Sequence, residues 1–283
     1  MGLPLPWPFD RDYMQLALAA GLVVGACGPL IGAFLVQRRL ALMGDGLGHL
    51  AFAGIAAGLL LAVWPVWTAM IAAVGGAIAI EWLRSRGRAS GDLALALFFY
   101  GGLAGGAVLS SRATGADANV VPWLFGSILT VEPGDVWTVV ALGGFVVASV
   151  ALAGRALLSV VLDEEAARVA GLPVDLLNTL LAVLASVTIV AAMRVVGVLL
   201  VAALMVLPVA SARLLARSFR TTLLAASAIG AGSVVAGLWL ARRFALAPGG
   251  TIVLVAAAVF AVVASAGTGS GVHSPAPPGT TDR

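Results

Sequence analysis

Residues 37–61 read QRRLALMGDGLGHLAFAGIAAGLLL, a pair of arginines followed by an apolar run long enough to cross a bilayer as a helix. Asp45 and His49 stand near its mouth, four residues apart, so a carboxylate and an imidazole share one helical face. Ionisable side chains are costly in hydrocarbon, and a span that keeps two of them needs a compensating partner. A divalent metal ion is the partner that brings a function with it.

The rest of the chain belongs to the same solvent. Of 283 residues, 61% are hydrophobic and 10% charged, and the mean hydropathy of +1.09 excludes a soluble domain. Nine apolar runs are predicted to span, at 13–36, 46–63, 66–83, 93–111, 136–154, 176–193, 195–212, 221–241 and 251–267. A tenth stretch, VVPWLFGSIL at 120–129, is too short to cross unaided and reads as a re-entrant or broken helix. The expected fold is all-α: a polytopic transmembrane helical bundle of about eight or nine spans plus that short element, in one membrane domain over 1–267. The proline-rich residues 268–283 are expected to be a disordered tail, and His273 within it has no assigned role. The opening MGLPLPWPFDRDY lacks the features of a secretory signal, so the first apolar run is expected to stay in the protein.

The 16 basic residues are all arginine. Without lysine the chain cannot carry the G-x-x-x-x-G-K-[ST] phosphate loop, so any nucleotide hydrolysis belongs to another polypeptide. The arginines lie in short clusters between apolar runs, a pattern of cytoplasmic loops and not of nucleic-acid binding. Placing Arg38 and Arg39, Arg84 to Arg88, Arg155 and Arg168, and Arg213 to Arg220 inside sets the N-terminus outside and the C-terminus inside, with only Arg242 and Arg243 misplaced. Cys27 is the lone cysteine, which rules out an intrachain disulfide and reads as packing. Gly21 and Gly25, Gly28 and Gly32, Gly54 and Gly58, and the group at 101–106 have the small-xxx-small spacing of closely packed helices.

Two ligands are too few for a firm metal site, since zinc takes four and manganese more. A symmetric dimer with this helix near its axis would supply two aspartates and two histidines, a mixed oxygen and nitrogen set that suits zinc, manganese or iron better than calcium or copper(I). The plainer alternative makes Asp45 a helix N-cap and His49 an ordinary hydrogen-bonding residue.

The segment 155–175, RALLSVVLDEEAARVAGLPVD, is the longest mixed-charge stretch. It is expected to hold a short amphipathic helix on the cytoplasmic face, either a solvated connection or a docking helix for a partner. Arg194 is expected to snorkel to an interface, Pro208 to kink its helix, and Glu81 to pair with Arg84 or Ser85. Trp7, Trp64, Trp67, Trp82 and Trp123 are expected in interfacial belts.

Three blocks together resemble the permease subunits of metal-ion ABC transporters, the zinc and manganese uptake family called ABC-3: residues 37–61, WLFGSILTVEPGD at 123–135, and DEEAARVAGLP with the apolar run to Ala216. The resemblance runs from about residue 13 to 267. It implies that Asp45 and His49 line the translocation path and coordinate the ion, and that Asp163, Glu164, Glu165, Ala166, Arg168 and Gly171 form a coupling helix that docks an ATPase. Family members commonly carry Ser or Ala before the histidine, where this chain has Gly48.

The implied protein is no enzyme and holds no permanent cofactor. It is a homodimeric cell-membrane permease with separate ATPase subunits and an extracytoplasmic binding protein that delivers zinc or manganese, worked by alternating access. A gradient-driven secondary cation transporter, or a permease of the same architecture for a metal chelate or vitamin, are the alternatives. Scarce mid-span acids speak against the first. The lack of H-E-x-x-H speaks against a membrane metalloprotease.

Overall fold

The structure, a computed structural model, describes residues 8–87, 91–113, 120–127 and 131–268. The expected tail from residue 269 on, with His273, Trp7 and Arg88, lies outside the described residues.

The described residues form helices and connections only. They run α1 (Asp12–Gln37), α2 (Met43–Leu60), α3 (Pro65–Ser85), α4 (Gly91–Arg112), α5 (Val121–Phe125), α6 (Pro133–Leu162), α7 (Glu164–Val169), α8 (Val174–Ala192), α9 (Val201–Leu215), α10 (Phe219–Phe244) and α11 (Pro248–Thr268). Eight of these are long and apolar enough to cross a membrane. The remaining predicted span, 195–212, is α9, and its 15 residues reach about 22 Å, less than the hydrocarbon thickness of roughly 30 Å. The chain is a multi-pass membrane protein.

Helix direction alternates along the chain. α1, α3, α6, α9 and α11 run one way, α2, α4, α8 and α10 the other, so Arg38, Arg84, Arg168 and Arg213 gather at one end, as their spacing in the sequence requires. The predicted glycine seams hold the bundle together. Gly25 meets Gly230 where α1 crosses α10, Gly32 abuts Met205 of α9, and Gly54 and Gly58 lie on the first turn of α3. Without a hydrophobic force between helices in lipid, such close backbone approach supplies dispersion contact instead.

Two boundaries differ from expectation. Residues 155–162 continue α6, which is 30 residues long, because LLSVVL is apolar enough to extend the span. Residues 195–200 are not helix: Gly197 takes φ +92, and Val198 and Leu199 donate backbone hydrogen bonds to the carbonyls of Trp123 and Leu124 at 3.0 and 3.2 Å. The α8–α9 connection is thus pinned to α5, with Val195, Val196 and Val198 buried. Non-helical backbone is tolerated at depth only when protein surrounds and hydrogen-bonds it.

The aromatic and basic expectations divide as well. Trp64, Trp67 and Trp82 are exposed, whereas Trp123 is buried beneath Arg194 and belongs to no belt. Arg194 does not snorkel: its side chain is 12% exposed and paired with Asp135 at 2.7 Å. Pro208 lies inside α9 and Glu81 pairs with Arg84 at 2.9 Å.

Candidate metal path

The first two turns of α2 carry the predicted pair. Leu42 is the N-cap and no side chain caps this helix, so Asp45 is not an N-cap and its carboxylate is left for another role. Asp45 and His49 both line a cleft of about 450 Å³ between the starts of α2 and α4, together with Asp92, Phe99 and Tyr100. The His49 ring lies edge to face with Phe99, centroids 4.3 Å apart at 70°. Its Nδ1 is buried and has no hydrogen-bond partner among the described residues. A buried ring nitrogen left without a partner is costly, and such a group is ready to accept a ligand.

Glycine sets the position of His49 from two sides. Gly102 of α4 packs on its backbone so closely that a Cβ there would lie 2.8 Å from the His49 carbonyl carbon. Gly48 faces the α8–α9 connection, where an added Cβ would come to 3.1 Å from the Val198 carbonyl oxygen. Glycine at position 48 thus lets α2 lie tight against that connection.

Asp92 is the acid that sequence reading passed over. It sits in the first turn of α4, where an acidic residue is an ordinary dipole partner, and only the parallel packing of α4 on α2 brings it to the wall shared by Asp45 and His49. Among the described residues no three His, Cys, Asp or Glu side chains are grouped closely enough to hold a metal ion. One copy of the chain therefore offers a partial ligand set. The cleft opens along α4, whose outward Leu93, Leu97 and Tyr100 are 62%, 61% and 68% exposed.

At the arginine-rich end the predicted docking residues form α7. Asp163 caps it, its carboxylate accepting the Ala166 N–H at 2.9 Å, and Gly171 ends it at φ +81. Glu165, Ala166 and Arg168 are exposed and Ala167 is buried. Glu164 turns the other way: its carboxylate lies 3.1 Å from Arg38, 3.5 Å from Arg84 and 3.7 Å from Arg168, and accepts from Asn178 at 3.4 Å. Glu81 holds the same two arginines from behind, at 3.6 Å to Arg38 and 2.9 Å to Arg84. Burial, together with the charge of Arg84, pulls the Arg38 guanidinium below its ordinary range against the opposing pull of Glu81 and Glu164.

Residues 10–267 match the ABC 3 transport family. The chain is 34% identical over 251 residues to the manganese transport system membrane protein MntC of Halalkalibacterium halodurans, covering 89% of this chain and 86% of that one. It is 32% identical over 253 residues to the manganese import system permease protein ScaB of Streptococcus gordonii, covering 89% and 91%. Among solved structures, PsaBC from Streptococcus pneumoniae in complex with Fab superposes with a TM-score of 0.81 at 30% identity, covering 90% of this chain and 91% of that one. An inward-facing putative metal-chelate type ABC transporter shares the fold, with a TM-score of 0.72 at 17% identity over 94% and 91%.

Proposed function

This chain belongs to the ABC 3 transport family, and from that membership we propose that it is the membrane-spanning subunit of an ATP-driven importer of a divalent transition metal. Manganese is the first candidate, because relatives that match over nearly the whole length are named as manganese transport proteins. Zinc suits the same carboxylate and imidazole donors and is the competitor to test.

The observation that carries the reading is His49 Nδ1, buried without a partner in a cleft it shares with Asp45. These two side chains are the ion ligands. Two such pairs, contributed by a homodimer, would bring the donor number to four. Asp92 at the same wall adds a weaker oxygen donor for entry or release. A transport site has to let its cargo go, and an incomplete set within each subunit serves that end.

ATP hydrolysis is assigned to separate subunits bound at the arginine-rich, cytoplasmic end, and metal delivery to an extracytoplasmic binding protein. The outward face of α7, with Asp163 at its start, Glu165, Ala166 and Arg168 along it and Gly171 at its end, is the ATPase contact. Closure of the ATPase pair would push α7 and switch the bundle between outward and inward access.

The test is uptake of manganese and of zinc into vesicles that hold this chain with its ATPase and binding protein. His49→Ala and Asp45→Asn are expected to reduce uptake by about tenfold or more, at least what loss of a supporting residue costs a metal site, while ATPase association is kept. Wild-type uptake by the His49 variant would end the ligand assignment.

A further inference from the structure

We propose that Glu164 is a positioning residue that ties α7 to the α1–α2 turn through Arg38, and so passes the movement of α7 to the helix that carries Asp45 and His49. This rests on α7 being the ATPase contact.

Apolar packing anchors α7 weakly, since Ala167 alone of its six residues is buried. Two side chains of α7 reach the bundle: Arg168 pairs with Asp175 in the first turn of α8 at 3.1 Å, an exposed contact, and the Glu164 Oε2 reaches inward to Arg38 at 3.1 Å and Arg84 at 3.5 Å. Arg38 and Glu81 are 10% and 6% exposed and Glu164 36%, so the cluster is buried on its inner side and meets solvent only where Glu164 joins it. Arg38 and Arg84 are balanced by Glu81 and Glu164, and Arg168 at the outer edge by Asp175. Without the Glu164 charge, Arg38 and Arg84 would repel each other across a single remaining acid.

Arg38 is the C-cap of α1, and the turn between it and α2 is stiff. The Leu40 N–H donates to the Leu35 carbonyl at 2.8 Å, Met43 to Leu40 at 3.0 Å and Gly46 to Leu42 at 3.2 Å, with Arg39 held at φ +63. A turn hydrogen-bonded from end to end transmits displacement where a slack loop would absorb it. Asp45 lies in the first turn of α2, directly beyond. A shift of α7 that drags the Glu164 carboxylate therefore reaches the metal ligands in a few covalent and hydrogen-bonded steps.

The experiment measures manganese imported per ATP hydrolysed, in proteoliposomes holding this chain, its ATPase subunits and the binding protein. Glu164→Gln is expected to keep its ATPase partner and hydrolyse ATP while import per ATP falls about tenfold. Glu164→Asp, which keeps the charge, is expected to recover much of the ratio. The double variant Arg38→Gln/Glu164→Gln, balanced again in charge, is expected to be no worse than the single one, the non-additivity of residues acting as a unit. A wild-type ratio in Glu164→Gln overturns the inference, and so do equal losses in the Asp and Gln variants or additive losses in the double variant. Should Glu164→Gln fail to reach the membrane, the Asp and double variants decide by the same criteria. If the wild-type complex shows no ATP-dependent import, the transporter reading itself fails and the inference with it. If the wild type imports and only the Glu164 result is negative, the inference alone falls.

Discussion

Arg194 closes a fork onto a single oxygen of Asp135, with Nη2 at 2.7 Å and Nε at 3.0 Å, while its guanidinium lies 4.6 Å from the ring centre of Trp123. The same carboxylate oxygen accepts the Glu132 N–H at 2.9 Å at the start of α6. The pair joins the start of α6 to the end of α8, far from the arginine-rich end. Arg194→Ala would strand a carboxylate that is 5% exposed, a loss of about 3–5 kcal/mol. Thermal unfolding in detergent should show a large drop for that variant and a smaller one for Arg194→Ala/Asp135→Asn. Equal stability of Arg194→Ala and wild type would mean the pair contributes nothing.

Gly102→Ala sets two effects against each other. Alanine favours a helix by about 1 kcal/mol over glycine, yet its Cβ would press on the backbone of His49 and Leu50. Uptake is expected to fall, because α2 must shift to make room. Gly101→Ala, where the added carbon meets open space, is expected to import normally. Matching uptake by the two variants would show that the crossing does not position His49.

Asp92→Asn removes a charge from the cleft wall and leaves Asp45 and His49 in place. It is expected to slow metal uptake by a smaller factor than His49→Ala. Unchanged uptake across manganese concentrations would take Asp92 off the path.

Glu165→Lys reverses an exposed charge on α7 without touching the Glu164 cluster. Less ATPase is expected to co-purify with this variant. Full recovery of the partner would move the contact off this face.

The spans were legible because each apolar run is long, and hydropathy measures what lipid selects. The same measure cannot tell a helix from a buried irregular segment, which is why Val195 to Leu200 read as helix although Gly197 breaks the chain there. Asp45 and His49 were legible through their local spacing, one turn apart. Asp92 joins them from a different helix, and Arg194 meets Asp135 across 59 residues of sequence, so no neighbouring residue announces either partnership. Glu164 and Glu165 are adjacent acids that look alike in sequence. The local geometry of α7 turns one toward the bundle and the other toward solvent.

The cleft that opens along α4 has a genetic consequence. If a second copy supplies the other ligand pair, as proposed, intact and defective subunits compete for the same pairings. Co-expressing His49→Ala with the wild type in equal amounts and with random pairing leaves about one quarter of the assemblies with both ligand sets whole. The defect should then be dominant, depressing import well below the half expected of subunits that work alone.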